Sequence, residues 1–389
     1  MKRQAKNRLD SKRVVLASVN FYSVYNFRLY LARKLKEMKY EVLIAAPEDE
    51  YRELLNQEFR TVIIKNLDRK SKNPFKDLKL LLEYLKLYSK YKPDLVINYS
   101  IKPNIYSSLA CGLLKIRCIS TLAGLGLLFV KKDLFQSIAR LLYKAAFRFN
   151  TKVIFLNEED MKEFVGKKIV KQNQAFILNG EGIDLNYFHP NHCNHMKKDN
   201  PNFIFLCITR LIWEKGIKEY VEAARILKKI KPDAEFWLLG PFDEGNPASV
   251  DEDYINSATK EGIINYLGAH KDVRPFICCA DAVVLPSFYR EGVPRALLEA
   301  MALEKPIITT TIPGCKEVCK DSFNGFCVKP KDVNGLVEAM IRLMELPQAK
   351  RIEMGKYGRR LAVEKFENSV VYRDLLQLIS NTLGAQLVD

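Results

Sequence analysis

Histidine and tryptophan are scarce in this chain, and long apolar runs are absent. Its 389 residues include four histidines and two tryptophans. No Cys/His spacing of the kind that binds zinc occurs, so we expect no metal site and no bound cofactor. No apolar run reaches the roughly 18 residues of a membrane-spanning helix. The basic stretch 1–13 lacks the apolar centre and cleavage site of a signal peptide, which predicts a cytoplasmic protein.

Cysteines are not scarce, but their pattern excludes a disulfide framework. There are nine cysteines, an odd number. Most stand in apolar runs, for example Cys207, Cys278, Cys279 and Cys327. Such cysteines are typically buried free thiols in a reducing compartment. Cys315 and Cys319 lie four residues apart, without a histidine pair nearby to complete a metal site.

Acidic residues are too few to balance the basic ones, and the net charge is +16. This excess predicts a polyanionic partner, which leaves nucleic acid, an anionic lipid surface or a phosphorylated substrate open. Hydrophobic residues make up 48% and charged residues 28%, as in soluble globular proteins. The length fits two domains of moderate size.

Short β-rich runs alternate with longer helical stretches, which predicts an α/β fold of βαβ units with parallel sheets. The pattern weakens over residues 184–201, interpreted as an interdomain linker, and then restarts. We therefore expect two doubly wound, Rossmann-like domains that face each other across a cleft, over residues 1–185 and 186–368. A final helix within 369–389 is expected to pack back toward the first domain. The predicted strands are 14–18, 41–46, 61–65, 95–98, 116–121, 153–156 and 174–178, then 202–208, 235–239, 264–267, 282–285, 306–310 and 325–328; the predicted helices include 27–38, 74–90, 218–229 and 370–383.

The most informative segment follows the predicted strand 282–285. Gly292 and Pro294 mark a helix start. Glu291 then lies in the preceding loop, and Glu299 projects from the second helical turn. A loop carboxylate beside a helix N-terminus suits a ligand that carries both hydroxyls and phosphates. Taken alone, the two glutamates are better explained as ordinary solvated residues of a helix.

Two further segments support a phosphorylated ligand. Arg210 and Lys215 flank a turn that Gly216 closes, directly after a strand, so both cations can reach the same sheet edge. A diphosphate leaving group needs such charges. Gly124 and Gly126, around Leu125, stand after a first-domain strand, where closely spaced glycines let the backbone approach a ligand. They are not a dinucleotide fingerprint, which should follow the first strand.

Together these segments resemble the family 4 retaining glycosyltransferases of the GT-B fold. The resemblance rests on an ordered set: Arg210…Lys215-Gly216, Gly240 to Pro247, Pro286-Ser287…Glu291 to Pro294…Glu299-Ala300, and Pro313-Gly314…Asn324-Gly325. Asn26-Phe27-Arg28 and Thr121…Gly126 resemble a bacterial branch that extends undecaprenyl-diphosphate-linked sugars, including N-acetylgalactosaminyltransferases.

The resemblance implies roles for individual residues. Arg210 and Lys215 hold the donor diphosphate, Glu291 binds hydroxyls of the transferred sugar, and Glu299 binds the ribose. The donor site also includes Gly240, His270 in the loop 268–272 near the base, Gly292, Val293 and Pro294. The acceptor side comprises Asn20, Arg28, Gly124, Leu125 and Gly126. Many members have a cleft histidine in the first domain, whereas residues 1–183 contain none.

The activity that the resemblance implies is metal-independent transfer of a hexose or N-acetylhexosamine from a UDP-sugar, best UDP-GalNAc or UDP-GlcNAc. The acceptor would be an undecaprenyl-diphosphate-linked saccharide in glycan or lipopolysaccharide assembly. Two alternatives stay open: a soluble acceptor, and a non-catalytic polyanion-binding protein of the same fold. Glu291 argues against a nucleic-acid partner, since a phosphate binder gains nothing from a carboxylate there. A phosphorylase is disfavoured because no lysine-bearing cofactor motif is present.

Residues 131–149 interleave cations with bulky apolar residues. As a helix, this segment has an apolar stripe and a basic face, the pattern of a helix that lies in an anionic membrane interface. A core-packed helix with solvated lysines gives the same pattern. We expect a peripheral protein on the inner face of the cell membrane, in contact with anionic inner-leaflet lipids. The stripe comprises Leu134, Ile138, Leu141, Leu142 and Ala145.

Overall fold

The chain forms two compact units. In this computed structural model, residues 11–69, 71, 73–124, 134–195 and 201–384 are described. Unit 1 comprises the residues up to Glu181 together with those from Val371 onward, and unit 2 comprises Gly182–Val370. Each unit holds one parallel sheet.

The sheet of unit 1 has seven parallel strands in the order β3-β2-β1-β4-β5-β6-β7. The strands are β1 (Arg13–Ala17), β2 (Glu41–Ala46), β3 (Arg60–Ile63), β4 (Leu95–Tyr99), β5 (Arg117–Leu122), β6 (Lys152–Phe155) and β7 (Ala175–Ile177). The helices are α1 (Phe21–Phe27), α2 (Leu29–Glu37), α3 (Arg52–Asn56), α4 (Pro74–Tyr91), α5 (Ser108–Leu114), α6 (Leu134–Phe147) and α7 (Glu158–Gly166), with a π-helical turn at Pro103–Ser107 and a 3₁₀ turn at Gln172–Gln174. Helices α1 and α2 pack against one face of the sheet, and α4, α5 and α6 cover the other.

The single helix predicted over residues 27–38 is wrong in its start. The chain is already helical from Phe21, because the Asn20 side chain caps α1 by accepting the amide of Ser23 at 3.0 Å. Helix α1 ends at Phe27, and α2 starts afresh after Arg28. Phe21 and Val24 bury the first helix against the sheet.

The sheet of unit 2 has six parallel strands in the order β10-β9-β8-β11-β12-β13. The strands are β8 (Ile204–Ile208), β9 (Glu235–Leu239), β10 (Asn265–Tyr266), β11 (Ala282–Leu285), β12 (Ile307–Thr310) and β13 (Gly325–Val328). The helices are α8 (Ile217–Ile230), α9 (Glu252–Lys260), α10 (Arg274–Cys279), α11 (Arg295–Ala302), α12 (Cys315–Val318), α13 (Val333–Glu345) and α14 (Gln348–Lys365), with 3₁₀ turns at Pro190–His195 and Trp213–Lys215.

Residues 184–195 are part of unit 2 rather than a free linker. Leu185 and Phe188 are buried in its core, and Arg359 donates to the Phe188 carbonyl at 2.7 Å. A disulfide joins Cys193 to Cys278. The prediction of free thiols is therefore wrong for these two residues, while the other seven cysteines are free. The 3₁₀ turn that follows Phe188 brings Cys193 onto α10, a contact that sequence spacing does not reveal.

Unit 1 is completed by a helix that follows unit 2 in the sequence. Helix α15 (Asn368–Leu383) buries Val371, Leu375 and Ile379 in the same core as α1 and α2. The Tyr372 hydroxyl donates to the carbonyl oxygens of Phe27 and Glu181, both at 3.1 Å. The chain therefore passes between the units twice, near Gly182 and near Val370.

The strand order of unit 2 positions the site. The chain runs outward from β8 through β9 to β10 and then returns to place β11 beside β8. The direction of winding reverses between β8 and β11, and ligands of open α/β sheets bind outside the carboxyl ends of strands at such a point. The segments after β8 and β11 carry the cations and the carboxylate singled out by the sequence.

Candidate functional site

The loops after β8 and β11 are joined by backbone hydrogen bonds. The Glu214 carbonyl accepts the amides of Phe288 and Tyr289 at 2.9 and 3.0 Å and the Ser287 hydroxyl at 3.2 Å. The Ser287 carbonyl in turn accepts from Thr310, at the end of β12, at 2.5 Å. These hydrogen bonds hold the loops after β8 and β11 together with the end of β12.

A buried ion pair stands at the centre of these loops. The Lys215 ammonium contacts the Glu291 carboxylate, and the two side chains are 12% and 11% exposed. The Ser287 hydroxyl donates to the same carboxylate oxygen at 2.9 Å, and the Lys215 Nζ lies 5.3 Å from the centre of the Tyr289 ring. The structure therefore brings the predicted sugar-binding carboxylate and a predicted phosphate-binding cation into direct contact.

Two glycines allow the backbones of neighbouring loops to come this close together. Gly216 has φ +79, and a Cβ there would overlap the carbonyl oxygen of Pro286. Gly314 has φ +84, and a Cβ there would overlap the carbonyl oxygen of Gly292, next to Glu291. Both positions combine a left-handed backbone with a backbone contact that no side chain permits.

Arg210, the second predicted phosphate-binding cation, pairs with a different carboxylate. Its NH1 lies 2.7 Å from the Asp243 Oδ2, and its side chain is 42% exposed. Asn246 donates to the same carboxylate oxygen at 2.9 Å. Asp243 was not singled out by the sequence, although it stands within the run from Gly240 to Pro247.

Glu299 lies one helical turn beyond Arg295 in α11, and the Arg295 Nε donates to its Oε1 at 3.1 Å. Burial raises the pKa of the Glu299 carboxyl, the Arg295 cation opposes this rise, and the nearby Asp272 adds to it. Pro294 occupies the N-cap position of α11, without a side-chain capping hydrogen bond. Val293, beside it, packs against the core of unit 2. The free N–H groups of this helix start face an anion favourably.

The remaining donor-side predictions fall on loops after β9 and β10. Gly240 donates its amide to the Gly268 carbonyl at 2.8 Å. His270 is exposed, donates from Nε2 to the Leu267 carbonyl at 2.8 Å, and lies against the Phe276 ring at 4.4 Å. Asp272, the last residue of the loop 268–272, is the residue of this loop whose charge acts on the Glu299 pKa.

Of the residues predicted on the acceptor side, Arg28 is buried in unit 1. It pairs with Glu181, donates to the Ser23 carbonyl at 2.8 Å and stacks 4.2 Å from the Tyr99 ring centre. Asn20 is occupied as the cap of α1. Gly124 follows β5 with φ +105, and Leu125 and Gly126 lie outside the described residues.

The π-helical turn of unit 1 holds a polar side chain that the sequence did not single out. Asn104 is buried and donates to the Thr121 carbonyl at 2.9 Å. Its Oδ1, like the Thr121 hydroxyl, finds no hydrogen-bond partner within the described part of the chain. Both belong to residues that meet at the end of β5. Buried unsatisfied polar atoms of this kind occur where water or a ligand completes the set.

A further buried group next to Glu291 is the Cys315 thiol, whose pKa is raised to about 12 by burial and by the Glu291 charge. Within the described ranges, no group of three His, Cys, Asp or Glu side chains is arranged to hold a metal ion. The described helices likewise include none that is long and apolar enough to cross a membrane.

The two parallel, doubly wound sheets confirm the predicted α/β fold class and match solved glycosyltransferases of the GT-B fold. Residues 14–157 match the model of the Glycosyl transferase 4-like family, and residues 191–361 match Glycosyl transferases group 1. The chain resembles the Anabaena protein HepE solved with UDP-glucose, with a TM-score of 0.76 and 17% identity over 95% of this chain and 99% of that one.

Curated relatives share more sequence. An N,N'-diacetylbacillosaminyl-diphospho-undecaprenol alpha-1,3-N-acetylgalactosaminyltransferase of Campylobacter jejuni is 32% identical over 91% of this chain and 94% of its own. A UDP-Gal:alpha-D-GlcNAc-diphosphoundecaprenol alpha-1,3-galactosyltransferase of Escherichia coli is 27% identical over 69% of this chain and 71% of its own. The chain belongs to the family 4 retaining glycosyltransferases, as the motifs predicted.

Proposed function

We propose that this enzyme transfers a hexose or N-acetylhexosamine, best N-acetylgalactosamine or N-acetylglucosamine, from a UDP-sugar to an undecaprenyl-diphosphate-linked saccharide. The observation that carries the proposal is the Lys215–Glu291 pair at the switch point of unit 2. The relatives from Campylobacter and Escherichia, whose names specify lipid-linked acceptors, support the acceptor class.

The arrangement suits donor cleavage with retention. Arg210, Lys215 and the N-terminus of α11 offer positive charge where the diphosphate leaves, and charge on the leaving group grows as the glycosidic bond breaks. When the diphosphate takes over Lys215, the Glu291 carboxylate is released to accept hydrogen bonds from sugar hydroxyls. In this proposal, the Glu299 carboxylate binds the ribose hydroxyls.

The bond between the sugar and the β-phosphate breaks while the acceptor hydroxyl oxygen bonds to the anomeric carbon on the same face. The acceptor proton passes to the departing phosphate oxygen, so that UDP and the lengthened saccharide are the products. No step needs a metal ion, since the two cations supply the charge.

A panel of UDP-sugars tested with a lipid-linked acceptor and with soluble sugars checks this assignment. We expect turnover with the lipid-linked saccharide and loss of turnover in Glu291→Gln, with UDP binding retained in calorimetry. Full activity in that variant removes Glu291 from the reaction. Turnover only with soluble acceptors would replace the acceptor class, and binding of UDP without any turnover would favour a non-catalytic protein.

We further propose that unit 1 docks on the anionic inner face of the cell membrane through the outer surface of α4 and α6. Phe75, Leu78 and Leu82 follow helical spacing on α4 and are exposed, Phe75 by 76%. On α6, Tyr143 and Phe147 face the core, whereas Ile138 and Leu141 of the predicted stripe are exposed, Leu141 by 67%.

Cations accompany these apolar residues. Lys79 and Lys86 are exposed on α4, and Lys144 is exposed on α6. Exposed apolar side chains that alternate with lysines are typical of helices that lie in an anionic interface. Helices α4 and α6 both pack on the π-helical turn and belong to one layer of unit 1. Residues 131–133 of the predicted segment lie outside the described residues.

A further inference from the structure

Unit 2 contains a cavity of about 370 Å³ that none of the roles above uses. It is bounded by the 3₁₀ turn after β8, the first turn of α8 and the segments that follow β11 and β13. This volume lies in the range of small-molecule sites. Its lining residues are Trp213, Lys218, Glu219, Phe288 and Lys331.

The lining combines aromatic surface with an unsatisfied carboxylate. The Glu219 Oε2 is buried and finds no hydrogen-bond partner among the residues described. A buried carboxylate oxygen in this condition costs free energy until a donor reaches it. Trp213 is half-buried, packs edge-on against Tyr254 at 5.1 Å, and turns part of its surface to the cavity.

Two ammonium groups complete the lining. Lys218 is exposed at the start of α8, and the Lys331 Nζ lies 4.3 Å from the centre of the Phe288 ring. The cavity therefore offers ammonium donors, the Glu219 carboxylate and apolar ring surface within the same space.

This combination selects among ligand classes. An isolated phosphate would be repelled by the negative charge of Glu219, and an apolar ligand would offer the Glu219 carboxylate no hydrogen-bond donor. A pyranose offers hydroxyl donors to the carboxylate, hydroxyl acceptors to the lysines and C–H groups to the indole ring. We propose that this cavity binds a pyranose residue of a saccharide, outside the donor site.

The cavity and the donor site share a structural segment. Trp213 and Lys215 belong to the same 3₁₀ turn, and the Phe288 amide is held by the Glu214 carbonyl between them. A saccharide against Trp213 therefore contacts the segment that positions the diphosphate-binding cation. The pyranose either belongs to the glycan being lengthened, which rests on the proposed function, or is a free sugar.

Tryptophan emission provides the test, because the chain has only two tryptophans. A Trp237→Phe background leaves Trp213 as the sole reporter. Methyl glycosides of glucose, galactose, N-acetylglucosamine and N-acetylgalactosamine are titrated in the presence of saturating UDP. We expect at least one of them to change the Trp213 emission saturably.

The variant Glu219→Gln should weaken that binding by about tenfold, since a hydrogen bond to a charged group is lost. Glu222→Gln is the matched control, because it removes the same charge from the same helix outside the cavity. Glu291→Gln is the second control and should leave the affinity unchanged, which separates this cavity from the sugar subsite of the donor. The melting temperature of each variant is measured to verify folding.

The proposal is overturned if no glycoside changes the emission, if Glu219→Gln binds as tightly as the parent, or if inorganic phosphate gives the same change and sugars do not. Steady-state kinetics then distinguish the two sources of the pyranose. A raised KM for the saccharide acceptor in Glu219→Gln, with an unchanged KM for the donor, assigns the pyranose to the glycan. An unchanged acceptor KM, with turnover that responds to added glycoside, assigns it to a free sugar. Glycoside binding without sugar transfer would refute the proposed function alone.

Discussion

Replacing Lys215 with methionine removes the cation from the buried pair and leaves the Glu291 carboxylate without that charge. Breaking a buried ion pair from one side costs about 3–5 kcal/mol. Both side chains retain slight exposure, so we expect the lower end, about 3 kcal/mol of unfolding free energy. Glu291→Gln keeps an oxygen that accepts from Ser287, so its cost should be smaller, about 1–2 kcal/mol.

The double variant then distinguishes a coupled pair from two independent residues. With both charges removed, we expect a loss of only about 2 kcal/mol, well below the sum of the single losses. Urea unfolding followed by tryptophan emission measures this in unit 2, because Trp213 and Trp237 both lie there. With an m-value of about 2 kcal/mol/M, the Lys215→Met midpoint should fall by about 1.5 M.

Saturating UDP should alter this pattern. The parent gains stability by about 2.7 kcal/mol at a ligand concentration of 100 Kd, and Lys215→Met should gain much less at the same concentration. Single-variant losses that add to within about 0.5 kcal/mol would show that the two charges do not stabilise each other. Equal UDP stabilisation of the parent and the variant would place the diphosphate elsewhere.

Three further outcomes follow from the same geometry. Arg210→Ala should weaken UDP binding by about tenfold and leave uridine binding unchanged in calorimetry. Asp243→Asn, which keeps the cation, is the control. Equal losses of affinity for UDP and uridine would contradict the assignment of Arg210 to the diphosphate. The raised Glu299 pKa means that the folded state binds this proton more tightly than the unfolded state, so its contribution to stability is lost as pH rises above the ordinary value of 4.5. Glu299→Gln should therefore flatten the stability profile in that window relative to the parent, and parallel profiles would argue against a buried carboxyl. In flotation with anionic vesicles, replacing Leu78 and Leu82 together with serine should weaken binding by about tenfold, and added salt should weaken vesicle binding of the parent. The control is Ile352→Ser, which alters an exposed apolar residue of unit 2 and should leave binding unchanged. If neither the double substitution nor salt reduces vesicle binding, these helices have no lipid role.

Sequence periodicity predicted the sheets because buried parallel strands read as short apolar runs wherever they occur. The positions of the loops after β8 and β11 could also be predicted, since glycine and proline residues mark the ends of strands. Periodicity does not say which side of an amphipathic helix meets the core. On α6 the predicted stripe included Ile138 and Leu141, whereas Tyr143 and Phe147 are the buried anchors.

Long-range pairings could not be predicted either. Nothing in the spacing of Cys193 and Cys278 indicates that a 3₁₀ turn and α10 bring them together. Lys215 and Glu291 were assigned to different parts of the ligand, and their mutual contact depends on close backbone approach at Gly216 and Gly314. Asp243 became visible as a partner of Arg210 only through the fold of the loop after β9.

The double passage of the chain between the units affects how the protein is made. Unit 2 is one continuous stretch, so every strand and helix of its core has been translated once residue 370 is reached. Unit 1 begins first but lacks Val371, Leu375 and Ile379 until α15 emerges from the ribosome. The earlier unit is thus finished later, and until then the apolar surface that α15 covers is open to chaperones or to aggregation.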